Sequence, residues 1–98
     1  MFRPDLAPGE IKALWFGRSF CLQDNKYPDS VSLMRAMQQA NDATRRIAKE
    51  EDVPLAEIDA AVPKRLEFFR DDVHTTPRGA RIVAETVAEA IITAGYLQ

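Results

Sequence analysis

The sequence holds one cysteine, one histidine and no excess of either charge, and each shortage removes a class of function. Cys21 alone can close no disulfide within the chain. With His74 as its only companion, a zinc site would have to be built on carboxylates, so no metal or other cofactor is expected. Lys and Arg total 13 against 15 Asp and Glu, a net charge of −2, which argues against a surface built to grip phosphate backbones. No spacing between the helical patterns resembles a helix-turn-helix, so nucleic acid is not an expected partner. No apolar run approaches the ~20 residues that span a bilayer, and MFRPDLAPGE lacks the apolar core of a signal peptide. A membrane is therefore not an expected partner either, and a cytoplasmic location is expected. Internal repeats and low-complexity segments are lacking as well.

What is present is ordinary in amount. Ninety-eight residues, 46% hydrophobic and 29% charged, suit one small domain with a thin core, since chains of this size bury only about 60–65% of their unfolded surface. Residues 1–30 form an irregular stretch carrying three of the six prolines and five of the eight aromatics. Pro8 at a first helical turn with Glu10 near its positive end predicts a short helix to about Trp15. Leu14 to Leu22 is the most hydrophobic run, read as a strand or extended segment.

Residues 31–98 are better patterned. Asp29 or Ser30 should cap a long helix, with Leu33, Met37, Ala40, Thr44, Ile47 and Ala48 on one face and an end near Glu50-Glu51-Asp52. Val53 to Ile58 reads as a short strand entering a parallel sheet, with Pro54 at its start or edge. Asp59 to Phe69 should be a connection with one helical turn around Lys64-Arg65-Leu66. Thr76 as N-cap, Pro77 at the first helical position and Gly95 as the stop bound a last helix, whose apolar face runs through Ile82, Val83, Thr86, Val87, Ala90, Ile91 and Ala94. This order favours an α/β protein.

The chemistry concentrates at one point. Asp71 lies three residues before His74, in a loop between Phe68-Phe69 and a capped helix. There it can accept a hydrogen bond from Nδ1, fix the tautomer and leave Nε2 as a general base. Asp72, two residues before the histidine, is the less natural partner. Cys21 could serve as a nucleophile, but a small buried hydrophobe is the stronger reading. Arg65, Arg70, Arg78 and Arg81 fit an anion cluster and scattered solvated arginines equally well.

The run Asp71-Asp72-Val73-His74-Thr75-Thr76-Pro77-Arg78-Gly79-Ala80, followed by Ile82 to Ala88, resembles the final block of the SGNH (GDSL-type) hydrolases. Asn41 to Leu55 is similar to the helix and strand preceding that block, so the resemblance covers roughly Leu33 to Ala94. It implies a partial, flavodoxin-like three-layer α/β/α fold, helix-rich with few parallel strands, acting on ester or acetyl groups, with His74 as base and Asp71 as its orienting acid. The family's Gly-Asp-Ser nucleophile block is not found. Pro28-Asp29-Ser30 has proline where the tight turn needs glycine, Gly17-Arg18-Ser19 lacks the acid, and Asn41 sits inside a helix rather than at an oxyanion hole. The chain is thus expected to be a truncated SGNH-like protein, non-catalytic by itself and stabilised as a homo-oligomer, a dimer or larger. The alternative is an ester or acetyl hydrolase fragment completed by an N-terminal half, or by Ser19 or Cys21 of another chain.

Overall fold

A computed structural model of the chain describes residues 2–19 and 22–97. Its elements are α1 (Pro8–Ala13), α2 (Trp15–Arg18), a 3₁₀ turn (Gln23–Asn25), α3 (Ser30–Glu50), α4 (Ile58–Ala61) and α5 (Pro77–Thr93). Among the described residues there is no strand; the one β feature is an isolated antiparallel bridge between Phe69 and Thr75. No helix among them is long and apolar enough to cross a membrane.

The helix ends follow their side chains. In α1, Pro8 takes the first turn and the Glu10 carboxylate accepts the Ala7 N–H at 2.9 Å. Arg3 grips the same carboxylate at 2.7 Å and reaches the Lys64 carbonyl at 3.3 Å, tying the N-terminal segment to the middle of the chain. Asp29 caps α3 by accepting the Ser32 N–H at 2.7 Å. At the other end Asp52 adopts a left-handed φ of 52°, and the Val53 N–H reaches back to the Ala48 carbonyl at 2.8 Å. Thr76 caps α5 through the Gly79 N–H at 3.2 Å. Gly95, at φ +74°, closes α5 with paired bonds from its own N–H to Ile92 and from Tyr96 N–H to Ile91. The two long helices thus begin and end where the residue types put their boundaries.

The strand expected at Val53 to Ile58 is absent for a physical reason. A strand needs a neighbour to receive its amides, and Pro54 offers no amide. Val53 to Glu57 is instead an extended, largely exposed connection running into α4. Arg45 pins it to α3, bonding Glu57 at 3.0 Å and Asp59 at 3.4 Å while also holding Asp42 at 3.1 Å. The Leu14 to Leu22 run turns helical at Trp15–Arg18, and its Phe20 and Cys21 lie outside the described residues. The turn expected at Lys64-Arg65-Leu66 spans 64–68, where Phe68 and Phe69 amides bond the Arg65 carbonyl.

Packing is the weak point of the chain. Leu14 and Val62 are the buried apolar side chains among the described residues. The apolar face of α3 stays open, with Met37 41% and Ile47 53% exposed, and Ile92 of α5 is 62% exposed. The surface is 7262 Å², against about 5,600 Å² for a compact monomer of this mass. The radius of gyration, 15.5 Å, likewise exceeds the ~13 Å expected at this length. Such open, amphipathic faces call for a partner layer.

Candidate functional site

The site rests on a five-residue turn held at both shoulders. Arg70 N–H bonds the His74 carbonyl at 2.8 Å, and Thr76 N–H bonds the Phe68 carbonyl at 2.9 Å. The Thr76 hydroxyl adds a bond to the Glu67 carbonyl at 2.8 Å while it caps α5. One threonine therefore joins the turn to the helix that follows it. Gly79 makes this junction possible: a Cβ there would land on the Phe68 carbonyl oxygen and stand 3.1 Å from the Thr75 Cβ.

Within the turn the two aspartates have separate work. Asp71 is 6% exposed, and its Oδ1 accepts the Val73 and His74 amides, each at 2.8 Å. Its Oδ2 lies 2.8 Å from His74 Nδ1. A carboxylate so placed only accepts, so Nδ1 carries a proton, and in the neutral imidazole Nε2 is left with the lone pair. Burial by itself opposes ionisation of Asp71, but the His74 and Val73 amides and the imidazole outweigh it and hold the carboxyl below its ordinary 3.8. Among the described residues the imidazole finds a hydrogen-bond partner at Nδ1 alone, and its side chain is 63% exposed.

Asp72, 2% exposed, turns the other way. Its carboxylate accepts the Phe16 amide at 3.1 Å and the Gly17 amide at 2.5 Å, capping the first turn of α2 from 55 residues away. Glycine leaves room for that contact, since a Cβ on Gly17 would stand 2.7 Å from Asp72 Oδ2 and force the carboxylate to shift. Phe16 then lies against the histidine, its ring centroid 5.6 Å from the imidazole at 83°. Sequence reasoning gave Asp72 no task of its own and missed Phe16 and Gly17. The available signal was the doubled aspartate itself: one histidine nitrogen can occupy only one of them, so the second, once buried, must find donors elsewhere.

Among the described residues, none of the remaining candidates is hydrogen-bonded to His74. The Ser19 hydroxyl donates to the Phe16 carbonyl at 2.6 Å, and Cys21 lies outside the described residues. Asp29 of the Pro28-Asp29-Ser30 triplet is occupied as the cap of α3. Asn41 is half-buried along α3, beside an open groove that it shares with Met37 and Asp59. Arg78 pairs with Glu67 and lies over the Phe68 ring, while Arg65, Arg70 and Arg81 are exposed. No group of three or more metal-ligating side chains occurs among the described residues.

The family model described as SGNH hydrolase-like domain, acetyltransferase AlgX, matches residues 21–98. The chain belongs to the SGNH hydrolase-like family. No curated protein and no solved structure matches it. The matched segment of this SGNH-like chain contains α3, α4, α5 and the Asp71–His74 turn. It leaves out α1 and α2, so Phe16 and Gly17 reach the turn from outside the family segment.

Proposed function

We propose that this SGNH-like chain supplies the base half of an acetyl-transfer site and does not complete the reaction alone. The observation that carries this reading is the Asp71 carboxylate, braced by two amides and 2.8 Å from His74 Nδ1, behind an imidazole open to solvent. With a serine hydroxyl of another polypeptide segment at hydrogen-bond distance, about 2.6–3.2 Å, Nε2 takes its proton as the oxygen attacks an acetyl carbonyl. The imidazolium so formed faces Asp71 and later returns the proton to the leaving group. Donors for the developing oxyanion would come with the serine. The family description, which names an acetyltransferase, favours acetyl groups over other acyl groups. The open faces of α3 and α5 suit the outer layer of a three-layer α/β/α sandwich whose sheet another segment provides.

Intact-mass spectrometry after treatment with a fluorophosphonate tests the division of labour. The isolated chain is expected to show no serine adduct at neutral pH. A stoichiometric adduct that vanishes in His74→Ala would show a nucleophile within the chain and overturn the reading.

The same open faces support self-association in isolation, most simply as a two-fold dimer. The surplus of roughly 1,600 Å² over a compact monomer is twice the ~800 Å² per partner of a standard interface. Sedimentation equilibrium at micromolar concentration is therefore expected to give a mass above the 11.0 kDa monomer. A monomer across that range would remove this part of the proposal.

A further inference from the structure

We propose that α2 is a clamp on the histidine, with Asp72 as its anchor and Phe16 as a positioning residue for the imidazole. The clamp rests on the reading of His74 as a base and names what holds that base in place.

Three observations converge on it. Asp72 is among the most buried polar residues described, and both of its oxygens are engaged by consecutive amides of α2. Those amides would otherwise be the orphan donors of a helix start, so the contact satisfies both partners at once. Gly17 lets the two segments approach to 2.5 Å, where a Cβ would stand 2.7 Å from Asp72 Oδ2 and push the carboxylate aside. The consequence is felt at Phe16, whose amide is one of the two held and whose ring meets the imidazole nearly perpendicularly.

The geometry gives the clamp a task. Asp71 fixes one nitrogen of the imidazole, but a single hydrogen bond to an exposed ring leaves rotation about that bond and the competing Nε2–H tautomer within reach. An aromatic ring on the flank restricts the rotation, because it packs edge-on only when the imidazole lies in the plane in which Nδ1 faces Asp71, and it thereby preserves the tautomer that the Asp71 carboxylate selects. Phe16 touches no reacting atom. It acts through His74, from a helix that lies outside the family-matched segment.

Long-range ¹H–¹⁵N spectra of His74 at neutral pH read the ratio of its two tautomers directly. The wild-type chain is expected to be mainly Nδ1–H and to show a cross-relaxation contact between the Phe16 and His74 rings. Phe16→Leu, which keeps apolar volume but removes the ring, should raise the Nε2–H share about 2- to 10-fold, and Phe16→Tyr should restore the wild-type ratio. Asp72→Asn should move the ratio in the same direction as Phe16→Leu, because an amide cannot accept both N–H groups. An unchanged ratio in folded Phe16→Leu overturns the clamp. So does the absence of the ring contact in the wild-type chain, which needs no variant to fold. Neither readout depends on acetyl transfer: a fluorophosphonate adduct within the chain would end the base-half reading and leave the clamp standing.

Discussion

Gly79→Ala is expected to cost about 3 kcal/mol and to lower the urea midpoint accordingly, the largest loss expected from an alanine at any of the four glycines. The new Cβ would sit on the Phe68 carbonyl oxygen, and the neighbouring Thr75 Cβ, at 3.1 Å, closes the sideways escape. Moving that carbonyl breaks the Thr76 N–H bond to it, and with it the shoulder that supports the His74 turn. Backbone cannot yield as the tip of a lysine could. Gly9→Ala is the control, because nothing lies within 4 Å of a Cβ at Gly9. Being helical and free of clash, it should be neutral or stabilise by about 0.5 kcal/mol. Circular dichroism in urea reads both. Equal midpoints for the two variants would mean that the junction between the turn and α5 opens without cost.

The contrast between these glycines shows where the sequence could be read and where it could not. Interactions closed within four or five residues were legible. Asp29, Thr76, Pro77 and Gly95 bound their helices as their side chains require, and the Asp71–His74 hydrogen bond follows from a three-residue spacing in a turn. Interactions closed at long range were not. A strand at Val53 to Ile58 exists only if a second strand receives its amides, and the residues themselves cannot say whether one arrives. The described structure provides none, and the segment stays extended beside α3 under the hold of Arg45. Asp72 is the same lesson inverted. Beside His74 in sequence it reads as a spare carboxylate, yet it is nearly inaccessible because α2 brings two amides to it across 55 residues. Gly79 belongs to both classes: the motif contains it, but its cause is the Phe68 carbonyl, well upstream of the helix it sits in.

Asp71→Asn separates the two services of the aspartate, because only one of them needs a charge. The carbonyl oxygen of the substituted amide can still accept the Val73 and His74 N–H groups that Asp71 Oδ1 now holds, so the turn should keep its shape. The other position becomes an NH₂ group facing Nδ1, where the carboxylate oxygen stood at 2.8 Å. Nδ1 must then accept, the proton moves to Nε2, and the nitrogen facing solvent ceases to be a base. In a completed acetyl-transfer site this reversal is expected to lower the rate about 10³- to 10⁴-fold with the fold intact. The same long-range ¹H–¹⁵N spectra should show the tautomer inverted in the isolated chain. Stability should respond with a definite sign. The folded carboxyl of Asp71 titrates below 3.8, so the unfolded chain takes up its proton first as the pH falls. Its contribution is whole above about pH 5, declines through 3.8 and is gone once the pH passes below the folded value. The difference in urea midpoint between wild type and Asp71→Asn is therefore expected to be full above about pH 5 and to shrink as the pH falls through 3.8 and below. A residual acid sensitivity remains in the variant, since Asp29, held down first by the Ser32 amide, and Asp59, held down first by the Lys64 ammonium, keep their own shifts. A gap that stays constant across that range would mean that the Asp71 charge stabilises nothing. The aspartate would then serve as a turn residue alone, and the imidazole would lose its claim to a fixed tautomer.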